Sequence, residues 1–329
     1  KINAKCGTNY KPFNYYGAPD AEKVIIAMGS ACDAAEEVVN YMVAKGEKVG
    51  LIKVRLYRPF SAKHLLDVMP ATVKKISVID RTKEPGSIGE PLYLDVLAAL
   101  QGSPFENCSL FYGRYGLASK DTYPGCFVAI YNNMDAAEPK KRFTVGIVDD
   151  VTNLSLEITE NPNTAPEGTS SCKFWGLGAD GTVGANKNSI KIIGDKTDMY
   201  AQAYFAYDSK KSGGLTTSHL RFGKNPIQST YYITQADFVA CHQPAYIGKY
   251  DMVQDIKPGG SFLINCPWDV EELGKRLSAE EKNYIAKNNI NVYTIDGIKI
   301  GKEIGLGGRI NTVLQSAFFK IANIIPIEQ

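Results

Sequence analysis

Few of the residues that build metal centres or disulfide frameworks occur in this sequence. Its 329 residues include three His and seven Cys, and no two cysteines form a Cys-x-x-Cys pair. Zinc ribbons and ferredoxin-type iron–sulfur clusters therefore lack a ligand set. An odd number of scattered cysteines is also untypical of a disulfide-stapled secreted domain, so we expect reduced thiols and a cytoplasmic location.

Neither a charge excess nor a long apolar run is present. Lys and Arg number 37 and Asp and Glu 35, which leaves no overall basic field to attract nucleic acid or an anionic membrane surface. No stretch approaches the roughly 18 apolar residues of a membrane span, and the first residues contain no apolar core of a signal peptide. The chain begins without an initiator Met, which predicts a piece of a longer protein.

Short apolar runs alternate with helical patterns through the first half of the chain. The predicted strands are 23–30, 49–56 and 75–80. The predicted helices begin at Ser30 or Asp33, at Ser61 and at Pro91. Alternation at this spacing predicts a parallel sheet with helices on both faces. After Ser103 the sequence becomes rich in Gly, Tyr and Pro, and 142–148 then predicts an edge strand of the same sheet.

The pattern of strand, glycine turn and helix restarts at Cys172, after a stretch at 161–171 that is rich in Pro, Gly and Ser. A chain of this length also suits two domains better than one. We therefore predict an α/β fold of two domains, each with a mainly parallel sheet flanked by helices, over residues 1–155 and 165–329. A single sheet continuing across the boundary would contradict this prediction.

A glycine-rich turn follows the first predicted strand of the second half. Residues 176–181, Gly-Leu-Gly-Ala-Asp-Gly, fit Gly-x-Gly-x-x-Gly between a strand at 172–175 and a helix. Glycines let backbone N–H groups approach a diphosphate, and the helix N-terminus offers unpaired donors and a positive dipole end. With Lys187 nearby the pattern favours an anion site. A tight strand-to-helix turn that binds nothing is the alternative.

The strand predicted at 200–207 ends in a second polar turn. Asp208 stands where a nicotinamide enzyme would hold the ribose hydroxyls, whereas Lys210 and Lys211 before a Gly-Gly pair favour an additional phosphate. A diphosphate plus a further phosphate describes NADP and coenzyme A equally well. Because consecutive strands are often neighbours, we expect this turn beside the glycine-rich turn. A solvated Lys-Lys turn is the alternative.

Another glycine turn, 305–308, precedes the last predicted helix, 311–325. The guanidinium of Arg309 can bind a phosphate there with two N–H groups. The alternative is an exposed Arg309 beside a capped loop. The remaining predicted elements are strands at 238–241, 261–265 and 291–295 and a charged helix near 270–287. The candidate cofactor-binding residues are Gly178, Asp180, Gly181, Thr182, Val183, Asn186, Lys187, Lys210, Lys211, Arg309 and Asn311.

Motifs for self-contained catalysis are missing. Asp180-Gly181 looks like the start of a thiamine diphosphate motif, yet 205–210 lacks the Asn that would complete its Mg²⁺ site. No nucleophile elbow, His-Glu-x-x-His or P-loop pattern occurs. Cys241 and His242 are neighbours on a predicted strand, where side chains point to opposite faces, so they form no nucleophile–base pair. We predict no catalytic and no metal-binding residue, and we interpret His219 as a strand residue.

Several long runs resemble the pyruvate:ferredoxin (flavodoxin) oxidoreductase family. In the first half they are 16–21, 53–60, 80–86 and 89–95. In the second half they are 178–190, 209–214 and 218–223. The resemblance runs essentially from end to end of the chain but covers only the interior of that enzyme. It implies a transketolase C-terminal-like domain followed by a gamma-type domain.

The resemblance also implies a function. The parent enzyme would convert pyruvate and coenzyme A to acetyl-CoA and CO₂ while reducing ferredoxin or flavodoxin, with the gamma-type domain helping to hold coenzyme A. Thiamine diphosphate, Mg²⁺ and iron–sulfur clusters would belong to domains outside this chain. The implied partners are those domains in a homodimeric parent, located in the cytoplasm or an anaerobe's organelle. A stand-alone NADP-binding oxidoreductase and a purely structural interaction fragment are the alternatives, and we predict that the chain alone is inactive.

Overall fold

The computed structural model describes residues 1–148, 151–208 and 213–325. The chain divides into two compact units. The first comprises Lys1–Ala165 together with Gln228–Tyr231, and the second comprises Pro166–Ile227 together with Tyr232–Gln329. No helix within the described ranges is long and apolar enough to cross a membrane.

The first unit is built on a six-stranded sheet with the order β1-β3-β2-β4-β5-β6. Its strands are β1 Phe13–Gly17, β2 Lys23–Met28, β3 Val49–Val54, β4 Lys75–Asp80, β5 Ser109–Tyr115 and β6 Arg142–Val145. Its helices are α1 Ile2–Cys6, α2 Ala31–Ala44, α3 Ala62–Leu66, α4 Pro91–Leu100 and α5 Pro124–Asp135. Only β1 pairs antiparallel, with β3, and the other pairs are parallel.

Two apolar cores cover the two faces of this sheet. Ile25 and Ala27 of β2 belong to the core under α2 and α5, whereas Val24 and Ile26 belong to the core under α3 and α4. Alternate residues of one strand point to opposite faces, so a central parallel strand must be apolar throughout. This explains why the sequence 24–28 is a continuous apolar run.

The sequence pattern missed several elements of the first unit. Strand β5 and helix α5 lie in the Gly-, Tyr- and Pro-rich stretch that predicted no element, and β1 was not predicted either. Helix α5 is buried on nearly every side, so it carries no amphipathic stripe to signal a helix. The edge position predicted for 142–148 is confirmed, because β6 ends the sheet, although the strand itself stops at Val145.

A short segment of the second half folds with the first unit through a buried carboxylate. The Ser229 hydroxyl donates to Glu37 Oε1 at 2.7 Å, and the Tyr231 hydroxyl donates to Glu37 Oε2 at 2.7 Å. Thr164, at the end of the preceding stretch of this unit, donates to the same Oε2 at 3.1 Å. Hydroxyl donors make it possible to bury the Glu37 carboxylate in α2.

The second unit has its own six-stranded sheet, with the order β12-β11-β10-β7-β9-β8. Its strands are β7 Ser170–Leu177, β8 Tyr200–Tyr207, β9 Leu215–Gly223, β10 Ala236–Cys241, β11 Ile256–Asn265 and β12 Asn291–Ile295. Its helices are α6 Thr182–Lys196, α7 Val270–Arg276, α8 Ala279–Lys287, α9 Gly297–Glu303 and α10 Asn311–Ala322. Strand β9 runs antiparallel to both its neighbours, and the remaining pairs are parallel.

The predicted α/β class with two mainly parallel sheets is confirmed, with two corrections in the second unit. The charged helix predicted near 270–287 is two helices, because Ser278 begins α8 with a capping box. Strands β7 and β8 are not neighbours, because β9 lies between them. Since β8 is antiparallel to β9, it still runs in the direction of β7 and ends at the same edge.

Candidate functional site

A short glycine loop, residues 178–181, connects the carboxyl end of β7 to α6. Gly181 is the N-cap of α6 and has a φ of 86°, a conformation that favours glycine. Asp180 closes the loop on itself. Its Oδ2 accepts from the Leu177 amide and its Oδ1 from the Thr182 amide, both at 2.8 Å. The Asp180 carboxylate therefore shapes the loop, with both oxygens engaged there.

The first turn of α6 presents backbone donors. The first helical bond runs from the Ala185 amide to the Gly181 carbonyl at 3.0 Å. Helix geometry therefore leaves the amides of Val183 and Gly184 without an acceptor in the helix, and no other residue of the described ranges supplies one. Two such amides at the positive end of a helix dipole are suited to an anionic oxygen.

Thr182, the first residue of α6, is anchored beneath the loop. Its Oγ1 lies 2.9 Å from His242 Nδ1, and both side chains are buried. Burial lowers the pKa of His242 to about 4, so its imidazole is neutral near pH 7. Gly176 makes room for this contact, because a Cβ there would overlap the Thr182 side chain. Close packing against Thr182 therefore favours glycine at the first position of the motif.

The two glycine turns of the second unit meet at Gly181. A Cβ on Gly181 would overlap the side-chain amide of Asn311, the first residue of α10. Arg309, just before α10, is exposed. The tertiary structure therefore brings Arg309 and Asn311, two of the candidate cofactor-binding residues, to the edge of the sheet where the glycine loop lies.

The connection between β8 and β9 also lies against the glycine loop. The Gly178 amide donates to the Gly214 carbonyl at 2.7 Å, and the Gly213 amide donates to the Gly178 carbonyl at 3.4 Å. Lys210 and Lys211 precede these glycines but lie outside the described residues. Their candidate role stays a prediction.

Two candidate residues on α6 lie away from the loop surface. Asn186 is 2% exposed, because a residue four positions after the buried Thr182 returns to the same helix face. Its Nδ2 has no acceptor among the described residues. Lys187 is exposed, with its ammonium 5.4 Å from the centre of the Phe205 ring of β8. The candidate binding roles of Asn186 and Lys187 stay predictions.

Residues that the sequence pattern missed hold the strand ends together. The His242 amide donates to the Trp175 carbonyl at 2.8 Å, and Asn265 Nδ2 donates to the His242 carbonyl at 3.0 Å. Asn265 Oδ1 in turn accepts from the Gly297 amide at 3.0 Å. The available signal was a polar residue at the end of each apolar strand, where side chains of parallel strands converge at one edge.

The residues present do not fit a metal or a thiamine diphosphate site. In the described part of the chain, no group of three or more His, Cys, Asp and Glu side chains could hold a metal ion. Asp180, the one residue resembling a thiamine motif ligand, has both carboxylate oxygens bound to loop amides. His219 is buried in β9, and its Nδ1 is already engaged, because it accepts from the Ile233 amide at 3.1 Å.

Two family models match the chain. A model described as pyruvate ferredoxin/flavodoxin oxidoreductase matches residues 171–329, which include the glycine loop and the glycine turn at 305–308. A model described as pyruvate:ferredoxin oxidoreductase core domain II matches residues 21–121. Each unit therefore has a match of its own.

Similar proteins match nearly the whole chain. The pyruvate:ferredoxin oxidoreductase of Moorella thermoacetica is 61% identical over 323 residues, 98% of this chain and 28% of that protein. The pyruvate-flavodoxin oxidoreductase of Enterobacter agglomerans is 56% identical over 99% of this chain and 28% of that protein. The mitochondrial pyruvate dehydrogenase (NADP(+)) of Euglena gracilis is 47% identical over 98% of this chain and 18% of that protein. The chain thus spans little more than a quarter of its bacterial relatives, and it belongs to the pyruvate:ferredoxin/flavodoxin oxidoreductase family.

Proposed function

We propose that this chain is the part of a pyruvate:ferredoxin (flavodoxin) oxidoreductase that holds coenzyme A. In this proposal residues 1–155 form a transketolase C-terminal-like scaffold domain, and residues 165–329 form a gamma-type domain with the coenzyme A contacts. The parent enzyme converts pyruvate and coenzyme A to acetyl-CoA and CO₂ and passes the electrons to ferredoxin or flavodoxin. The names of the similar proteins support this reaction.

One observation carries the proposal. The amides of Val183 and Gly184, which have no acceptor among the described residues, lie at the same edge of the sheet as Asn311 and Arg309. Backbone N–H groups, a helix dipole and a guanidinium are the groups that proteins use to bind a diphosphate. The coenzyme A diphosphate would meet the two amides, with Arg309 and Asn311 alongside.

The 3′-phosphate of coenzyme A needs a second cationic site. Lys210 and Lys211 are the candidates, because the glycines that follow them bond to Gly178. Lys187, on the exposed face of α6 beside Phe205 of β8, can support the same side of the ligand. Together these groups distinguish coenzyme A from a ligand with a diphosphate alone.

Catalysis requires cofactors that other parts of the parent would bind. Thiamine diphosphate with Mg²⁺ supplies the decarboxylation chemistry, and iron–sulfur clusters carry electrons; the residues described in this chain do not fit either group. The work of this chain is then to bind and orient the acyl acceptor. The purified chain should neither decarboxylate pyruvate nor reduce a dye, even with cofactors added, and robust turnover would contradict this assignment.

The choice of electron acceptor lies outside this chain in our proposal. Proteins named for ferredoxin, for flavodoxin and for NADP(+) each match 98–99% of it at 47–61% identity. A region shared by proteins that differ in acceptor serves a step that they have in common. The remaining domains of a homodimeric, cytoplasmic parent would therefore contact ferredoxin or flavodoxin.

Calorimetric titration with coenzyme A, dephospho-coenzyme A and NADP tests the proposal. We expect coenzyme A to bind and dephospho-coenzyme A to bind about tenfold more weakly. Equal binding of coenzyme A and dephospho-coenzyme A would remove the 3′-phosphate site. Tight NADP binding without a response to coenzyme A would instead support a nicotinamide-binding protein.

A further inference from the structure

A buried histidine lies behind the glycine loop and has no part in the proposed contacts with coenzyme A. His242 follows β10, and its ring nitrogen Nδ1 lies 2.9 Å from the hydroxyl of Thr182. Thr182 is the first residue of α6, directly before the two unpaired amides. The position of these amides therefore depends on how Thr182 is held.

Thr182 is held from two directions. Its backbone amide donates to Asp180 Oδ1, and the other oxygen of that carboxylate accepts from the Leu177 amide at the end of β7. Its side chain contacts His242, which belongs to the sheet. The side-chain contact therefore links the first turn of α6 directly to the end of β10.

His242 is itself fixed by three neighbours. Its amide donates to the Trp175 carbonyl of β7, and its carbonyl accepts from Asn265 at the end of β11. The Phe174 ring meets the imidazole edge to face, with centroids 6.0 Å apart. The imidazole is therefore a rigid support that joins three adjacent strands to the start of α6.

We infer that His242 is a positioning residue, which sets the first turn of α6 through Thr182 and so tunes the affinity of the glycine loop for the diphosphate of coenzyme A. This inference rests on the proposed function. The contribution is geometric, because a neutral imidazole brings no positive charge to the loop. A hydrogen-bonding group of similar reach should therefore replace it.

The test compares three variants of the 329-residue chain. His242→Leu removes the hydrogen bond to Thr182, and His242→Asn keeps an acceptor near the position of Nδ1. His219→Leu is the matched control, because His219 is another buried histidine of the same sheet, bonded to the Ile233 amide and not to the loop. Amide hydrogen exchange of residues 177–186 and calorimetric titration with coenzyme A are both measured well below the unfolding temperature.

We expect His242→Leu to raise exchange in 177–186 and to weaken coenzyme A binding about tenfold, while His242→Asn stays within about threefold of the parent sequence. His219→Leu should lower the unfolding temperature without changing either readout at the loop. Equal exchange in 177–186 for His242→Leu and His219→Leu would overturn the inference. Failure of the unsubstituted chain to bind coenzyme A would overturn the proposed function instead, because the exchange measurement needs no ligand.

Discussion

Helices at the carboxyl edges of the two sheets begin in contrasting ways. In the first unit, the amides of Leu92 and Tyr93 at the start of α4 donate to Asp80, the last residue of β4, at 3.1 and 3.2 Å. In the second unit, the equivalent second and third positions of α6 are Val183 and Gly184, whose amides have no acceptor in the described part of the chain. A carboxylate of the protein itself thus occupies the anion site in one unit.

The difference suggests how one architecture serves two roles. The carboxyl edge of an open α/β sheet is where ligands bind, because helix N-termini converge there. Filling that position with Asp80, which is 3% exposed, turns it into a structural contact. Leaving it open behind a glycine loop keeps it available to a phosphate. Our scaffold and coenzyme A assignments for the two units follow this contrast.

Removing the internal anion of the first unit should have the largest effect. We expect Asp80→Ala to lower the free energy of unfolding by about 2–4 kcal/mol, because the amides of Leu92 and Tyr93 would lose their hydrogen-bond acceptor. Asp269→Ala is the control, because Asp269 caps α7 through the Glu272 amide at an exposed site, where the loss should be about 1 kcal/mol. Chemical denaturation measures both.

Sulfate sharpens this comparison. The Asp80→Ala chain has an opened anion site, so sulfate should raise its unfolding temperature more than that of the unsubstituted chain or of Asp269→Ala. Asp80 would be an ordinary helix cap if Asp80→Ala and Asp269→Ala lost equal free energy of unfolding and sulfate raised their unfolding temperatures equally.

Distorting the open site should have the next largest effect. We expect Gly181→Ala to cost about 2 kcal/mol of stability and to weaken coenzyme A binding at least tenfold, because Gly181 has a positive φ and a Cβ would overlap Asn311. Gly184→Ala is the control in the same turn, where a Cβ meets nothing within 4 Å. It should be neutral or stabilising by up to about 1 kcal/mol. Similar behaviour of the two variants in denaturation and titration would remove the strain argument.

The cationic turn of the second unit should have a smaller and more selective effect. We expect the double variant Lys210→Ala with Lys211→Ala to weaken coenzyme A by about 1–2 kcal/mol, roughly tenfold, and dephospho-coenzyme A much less. Rising salt should shrink the difference. Titration of both ligands at two salt concentrations measures the difference in their affinities. Unchanged affinity for both ligands in a folded variant would show that the two lysines form a solvated turn without a ligand.

The pH dependence of the first unit should be the smallest effect. Burial raises the pKa of Asp80 to about 6 and outweighs the two amide hydrogen bonds that lower it. An acid whose folded pKa is raised stabilises the fold below its unfolded pKa, and this contribution is lost as pH rises through about 6. From pH 5 to 7 the free energy of unfolding should therefore fall by about 1 kcal/mol through Asp80 alone. Denaturation at several pH values measures this dependence of the free energy of unfolding on pH. Asp80→Asn should remove the part of the dependence that comes from Asp80. An unchanged dependence in this variant would contradict the assignment.

Periodicity predicted the elements that repeat the strand–helix pattern and missed those that do not. Strands β2 and β4 and helix α4 have strong local signals and were predicted closely. Helix α5 was missed because it is buried on nearly all sides, and a helix of that kind has no stripe. The glycine motif predicted the position of the loop, since a strand, a tight turn and a helix N-terminus follow from adjacent residues.

By itself the sequence determined the α/β class, the glycine loop and the family resemblance, because each depends on residues close together along the chain. Only the tertiary structure decided which distant residues complete the loop. Asn311 meets Gly181, and His242 meets Thr182, because parallel strands deliver their ends to one edge whatever their separation in sequence. Packing also buries Asn186, since the buried face of α6 is set by the whole helix and not by the glycine motif.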